Sequence, residues 1–129
     1  MLLLERLKAG RPVWRVNWAL RSLARLNLIP HFFHEVERSY QQLTEENIGT
    51  HCFLRIERQA LSYLPRTHGI LFTIHTYQDS IEHVIQSSAD AHCLANVLRT
   101  TPQEMLAYKG ITPFGNKLLR YLEALERRG

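Results

Sequence analysis

Between Cys52 and Tyr77 polar side chains alternate with apolar ones: Arg55, Glu57 and Gln59 in one run, Thr73, His75 and Tyr77 in the next. In an extended strand, residues two apart point to the same side, so each trio presents its groups together. Arginine offers a planar fork of donors suited to carboxylate or phosphate, and a glutamate two residues from one suits orienting it better than acid–base work. His75 supplies an imidazole that can carry a proton or ligate a metal, with Gln59 and Tyr77 as neighbours. Arg58 falls out of phase, in the apolar row, where an unpaired guanidinium is costly unless it snorkels to water or meets Glu35, Glu37 or a ligand anion. Two readings of the row stand: the solvated outer face of an antiparallel sheet, or the polar floor of a pocket.

The remaining candidates carry less pattern. Cys52 and Cys93 are unpaired by any CxxC spacing and suit small buried hydrophobes. His31-x-x-His34 places two imidazoles on one helical stretch without a third ligand, and His51, His68, His83 and His92 fall into no ligand spacing. No GxGxxG, GxxxxGK[ST], GxSxG or HExxH occurs, which removes nucleotide cradles, hydrolase elbows and zincin sites.

The elements that must position these groups follow from periodicity and breakers. Leu2, Leu3, Leu4 and Leu7 predict a short helix ending near Gly10 and Pro12, and Val13 to Trp18 alternates as a strand. After Pro30, the run His31 to Leu43 places Phe33, Val36 and Tyr40 at helical spacing, and Asn47-Ile-Gly49 predicts a turn. Two strand-like runs flank Pro65-Arg-Thr-His-Gly69, a hairpin signal. Pairing Leu64 with Ile70 would put Leu54, Ile56, Ala60, Leu64, Ile70, Phe72 and Ile74 on one face and the polar row on the other. Asp79 with Glu82 and Thr101 with Glu104 predict capping boxes, Gly110 a helix stop, and Asn116 a cap for a last helix bearing Leu118, Leu119, Leu122 and Leu125. The order predicts an α+β domain over 1–129, with an antiparallel sheet around a central hairpin (52–77) flanked by helices.

At 129 residues, 45% hydrophobic and 22% charged, the chain has the composition of one folded domain. The net charge of +4 is scattered, without the basic stripe of a nucleic-acid binder, and no apolar window reaches membrane-span length. With two cysteines and no leader-like start, the expected compartment is the cytoplasm.

Four stretches carry a more specific signal: Arg15-Val-Asn-Trp18; Phe53-Leu-Arg-Ile-Glu-Arg-Gln59 with Leu64-Pro65; Ile70-Leu-Phe-Thr-Ile74 with Thr76-Tyr77; and Tyr108-Lys-Gly110. In this order they resemble the motif string of the haem-dependent oxidative N-demethylase-like family, corresponding to the C-terminal half of its longer members. The resemblance implies a PAS-like fold, incomplete here, that holds haem b and oxidises a small secondary amine with O₂, releasing formaldehyde. It implies electrons from a flavin or iron–sulfur partner, and homo- or hetero-association through an apolar flank left open. Under that resemblance Arg55, Arg58 and Gln59 would hold the cofactor, His75 would ligate iron, and Glu57, His75 and Tyr77 would line the catalytic pocket. The alternative is a noncatalytic PAS-like module that binds a ligand or another protein.

Overall fold

The computed structural model describes residues 2–26, 31 and 33–129, and of Leu2 the backbone alone. Pro30, which opened the first long helical run in the sequence, lies outside the described residues. The elements are α1 (Leu2–Glu5), β1 (Val13–Arg21), α2 (Phe33–Gln42), α3 (Ile48–His51), β2 (Phe53–Leu64), β3 (Gly69–Ser80), α4 (Ile81–Val84), α5 (Ser88–Thr100), α6 (Gln103–Tyr108) and α7 (Gly115–Arg128). The strands form one antiparallel sheet in the order β1-β2-β3. This is the α+β architecture that alternation and helical spacing predicted.

Local signals explain most boundaries, and several caps differ from expectation. Gly10 and Gly110 sit at φ +73° and +70°, where a side chain is strained: Gly110 closes the end of α6, whereas α1 already stops at Glu5 and Gly10 makes the turn that lets Arg11 N–H donate to the Lys8 carbonyl at 3.1 Å. Ser80 rather than Asp79 caps α4, its hydroxyl accepting from His83 N–H at 3.3 Å, while Asp79 binds the His83 ring. Thr101 does not cap α6: its hydroxyl donates back to the Val97 carbonyl at 2.6 Å, and Pro102 takes the N-cap position. Asn116 lies inside α7, which begins behind Phe114. The predicted turn at Asn47 instead opens α3, because Thr44 and Asn47 exchange side-chain-to-backbone bonds that start a helical turn.

The hairpin forms where predicted, with a shifted register. Ile81 N–H donates to the Cys52 carbonyl at 2.9 Å, setting Cys52 opposite Ile81. Continuing that ladder pairs Leu61 with Phe72, Gln59 with Ile74 and Arg58 with His75, and Leu61, Gln59 and Phe72 do line one pocket. The expected sorting, with Phe72 opposite in face to Gln59, is therefore overturned. The physical cause is the connection: Pro65 to His68 spans the gap, with His68 at φ 56° and its ring bonded to Tyr63 Oη at 2.7 Å. Ile70-Leu-Phe72 is apolar on both faces, so side-chain pattern there does not choose between the registers.

The chain separates into two compact units, one of residues 1–18 and 55–77, the other of residues 19–54 and 78–129. In the second, α5 packs on α7 and α3 packs on α4 and α7. Leu20, Leu43, Ile48, Cys52, Ile81, Ala91, Ala95, Ile111, Phe114, Leu118 and Leu122 are all nearly sealed from solvent and form its core. The first unit is nearly coreless: among its described residues only Leu7 and Gln59 are buried, while Trp14 is 60% exposed, Phe72 52% and Ile74 51%.

Candidate functional site

The first unit holds the polar side chains of interest on two opposite sheet faces. On one, strand alternation in β1 and β2 brings Arg15 opposite Gln59 and Asn17 opposite Glu57. Arg15 Nε donates to Gln59 Oε1 at 2.8 Å, Gln59 Nε2 donates to Glu57 Oε2 at 3.0 Å, and Arg55 Nε donates to Glu57 Oε1 at 3.0 Å. The Arg55 and Glu57 side chains are 14% and 19% exposed, so this is a largely desolvated, charge-assisted network. Burial pushes the Glu57 carboxyl up, but donation from Gln59, the charge and donation of Arg55, and donation from Asn17 outweigh it and hold the group below the usual glutamate range. A carboxylate so engaged orients guanidinium groups; it is not poised to exchange protons near neutrality.

Beside this network lies a cavity of about 260 Å³ lined by Leu3, Leu4, Val13, Trp14, Arg15, Gln59, Leu61 and Phe72. Its walls are apolar, and its polar end is the Arg15–Gln59 pair. Arg15 and Asn17 were legible only as motif letters; their ±2 spacing, matching that of Glu57 and Gln59 across the ladder, was the signal that could have made them site residues.

The other face carries His75 and Tyr77, whose rings stack at 4.5 Å with 26° between planes. The register sets Arg58 opposite His75, and the Arg58 guanidinium lies 5.5 Å from the centroid of the Trp14 ring. Arg58 is exposed and its neighbour is an aromatic face, so the expected buried arginine with a carboxylate partner is not found. Trp14, Val16, Leu71 and Tyr77 are 60%, 55%, 47% and 54% exposed, which makes this face a bare apolar surface bearing one imidazole and one guanidinium. The structure thus brings Arg55, Glu57 and Gln59 together, adds Arg15 and Asn17, and sets His75, Tyr77 and Arg58 on the opposite side.

The other candidates lie elsewhere. All seven histidines are exposed. His51 is bonded to Thr50 at 2.7 Å, His68 to Tyr63 at 2.7 Å, His83 to Asp79 at 2.5 Å and His92 to Glu126 at 2.7 Å. His34 meets Glu37 at 3.9 Å on the solvent side of α2. Cys52 is buried, and burial pushes its thiol up to about 12, partly offset by the Phe53 backbone N–H. Cys93 is exposed on α5. Among the described residues no group of three or more His, Cys, Asp or Glu side chains is placed to hold a metal ion, and no helix is long and apolar enough to cross a membrane.

A family model matches residues 2–119, nearly the whole chain, and takes in all four motif stretches together with both faces just described. With the Arg-x-Asn strand, the Arg-x-Glu-x-Gln strand and the hairpin strand assembled into one sheet, the chain belongs to the family of haem-dependent oxidative N-demethylase, alpha subunit-like proteins.

Proposed function

We propose that this protein is a haem-dependent amine oxidoreductase-type module in which the bare face of the first unit receives haem b. The observation that carries the reading is His75: an exposed imidazole, stacked on Tyr77 and making no hydrogen bond or ion pair among the described residues, on an apolar face with Arg58 directly across the ladder. That donor set fits the group. A haem asks for an axial nitrogen, flat apolar contact and a cation for its propionates, and His75, the Trp14, Val16, Leu71 and Tyr77 surface, and Arg58 answer to each. When bound, haem would supply the O₂ and one-electron chemistry that oxidises a small secondary amine, with electrons from a flavin or iron–sulfur partner. The chain's own residues would ligate through His75, hold the imidazole plane by stacking on Tyr77, and exclude water with Trp14 and Val16. A PAS-like scaffold and a second copy or partner chain closing over the face belong to the same reading.

The test is a haemin titration of the purified chain followed in the Soret region. We expect a shifted, saturable Soret band that His75→Ala abolishes and added imidazole restores, with Arg58→Ala weakening haem retention. An identical titration for the His75→Ala protein would overturn the assignment. It would favour a second reading, a noncatalytic ligand-binding module, which the Arg15-ended cavity on the opposite face supports.

A further inference from the structure

The fold sorts the charge that is dispersed along the sequence. Residues 1–18 and 55–77, the first unit, hold seven Lys and Arg against the two carboxylates Glu5 and Glu57, whereas the second unit holds nine against ten. The first unit therefore carries the whole net positive charge of the chain, and its field favours anionic ligands over neutral or cationic ones.

Within that unit one guanidinium is held in place without a carboxylate. Arg15 Nε donates to Gln59 Oε1 at 2.8 Å, and Gln59, only 8% exposed, is itself fixed by donating from Nε2 to Glu57 Oε2 at 3.0 Å. Glu57 is shared among Gln59, Arg55 and Asn17 and does not bond Arg15. The two Nη nitrogens of Arg15 make no hydrogen bond or ion pair among the described residues, and the residue is exposed, so a ligand can reach them. A guanidinium anchored through Nε keeps its end-on pair of N–H donors, which matches the two oxygens of a carboxylate, and has little rotamer freedom left to lose on binding.

Arg15 forms the polar end of the cavity of about 260 Å³ described above. Leu3, Leu4, Val13 and Leu61 give it aliphatic walls, Trp14 and Phe72 aromatic ones, and no lining residue is acidic. The volume falls just short of the about 300–1,000 Å³ of drug-sized sites, which suits an occupant of roughly one ring and a short chain. A small inorganic anion would leave the apolar walls uncovered, and a neutral hydrocarbon would leave the guanidinium unanswered.

From this geometry we infer that the Arg15 cavity binds a small arylalkyl monocarboxylate, its two oxygens accepting from Arg15 Nη1 and Nη2 and its ring lying among Trp14, Leu61 and Phe72. The short α1 gains a role on this account, since Leu3 and Leu4 form one wall of the cavity. The site lies on the face opposite His75 and fills without haem.

The experiment titrates the full chain with 3-phenylpropionate and with 3-phenylpropanamide, its neutral isostere, at constant pH. The indole N–H signals of Trp14 and Trp18 are followed by ¹⁵N–¹H correlation, with Trp14→Phe to assign them. The acid should move the Trp14 signal saturably and leave that of Trp18, which does not line the cavity, in place. The amide should bind about tenfold more weakly or worse. Arg15→Gln should remove the preference, so that acid and amide bind alike, and added salt should weaken the acid alone. Four results overturn the inference: equal binding of acid and amide by the unsubstituted chain; acid binding that moves Trp18 and not Trp14; a Trp14 signal that follows protein concentration instead of ligand, which would give the cavity to a second copy; or no response at millimolar concentrations, which would leave it to water. Should the Gln variant fail to fold, the comparison of acid with amide on the unsubstituted chain decides alone.

Discussion

Replacing Glu57 with alanine tests whether the polar network organises the first unit. The substitution strips Arg55 Nε and Gln59 Nε2 of their acceptors at 3.0 Å each and removes the acceptor of Asn17. Each hydrogen bond to a charged group contributes about 1.5–3 kcal/mol when its partner is left buried, and partial water access at 14% and 19% exposure favours the lower end. Because the three donors share one acceptor, their losses do not add, and the expected cost is about 2–3 kcal/mol. Both tryptophans, Trp14 and Trp18, lie in the first unit, so fluorescence-detected urea unfolding reports on it directly. Glu57→Gln keeps one acceptor oxygen and should cost about half as much. The two variants also differ from the native chain in pH dependence. A carboxyl held below its usual range stabilises fully above that range and loses the contribution as pH falls through the folded value, so the native chain should weaken on acidification and both variants should show a shallower decline. Unfolding midpoints for Glu57→Ala within error of native, or an unchanged acid slope, would refute the network as a structural element.

Three further outcomes follow from particular contacts. Arg58→Ala should cost no more than about 1 kcal/mol, the size of an exposed cation–π contact with Trp14, and a larger loss in the same fluorescence assay would mean a buried partner. Cys52, with its thiol pushed up to about 12, should resist a thiol-reactive probe in the native state while exposed Cys93 reacts, and mass spectrometry of the labelled chain should show one adduct at Cys93. Gly49→Ala would drive a Cβ into the Tyr121 ring, 2.8 Å from Cζ, and should destabilise by about 1–3 kcal/mol; adding Tyr121→Ala should relieve the clash, so that the double variant loses less than the sum of the singles in thermal unfolding.

Period and breaker residues were enough to read β1, the hairpin, α2 and α7 from the sequence, because strand and helix patterning is local and each of these carries its own apolar face. The chemistry-bearing letters Arg55, Glu57, Gln59 and His75 were likewise legible, as was the family, since motif order survives without knowledge of contacts. Which of those letters meet was not. Ile70, Leu71 and Phe72 satisfy either face of β3, while the alternation of Ile74 with Thr73 and His75 favoured the register that the structure overturns; the Pro65 to His68 connection, with His68 held at φ 56° beside Tyr63, set the register instead. That one-residue choice sends His75 and Tyr77 to the face of Arg58 and leaves Glu57 to Arg55, Gln59, Arg15 and Asn17. The same holds in the second unit, where Arg21 and Tyr40 are unremarkable in sequence and become neighbours only because β1 ends against α2 and the Lys109 carbonyl. Periodicity decides which way a side chain points from its own element; the partner it finds there depends on residues dozens of positions away, and only the packed chain brings them within reach.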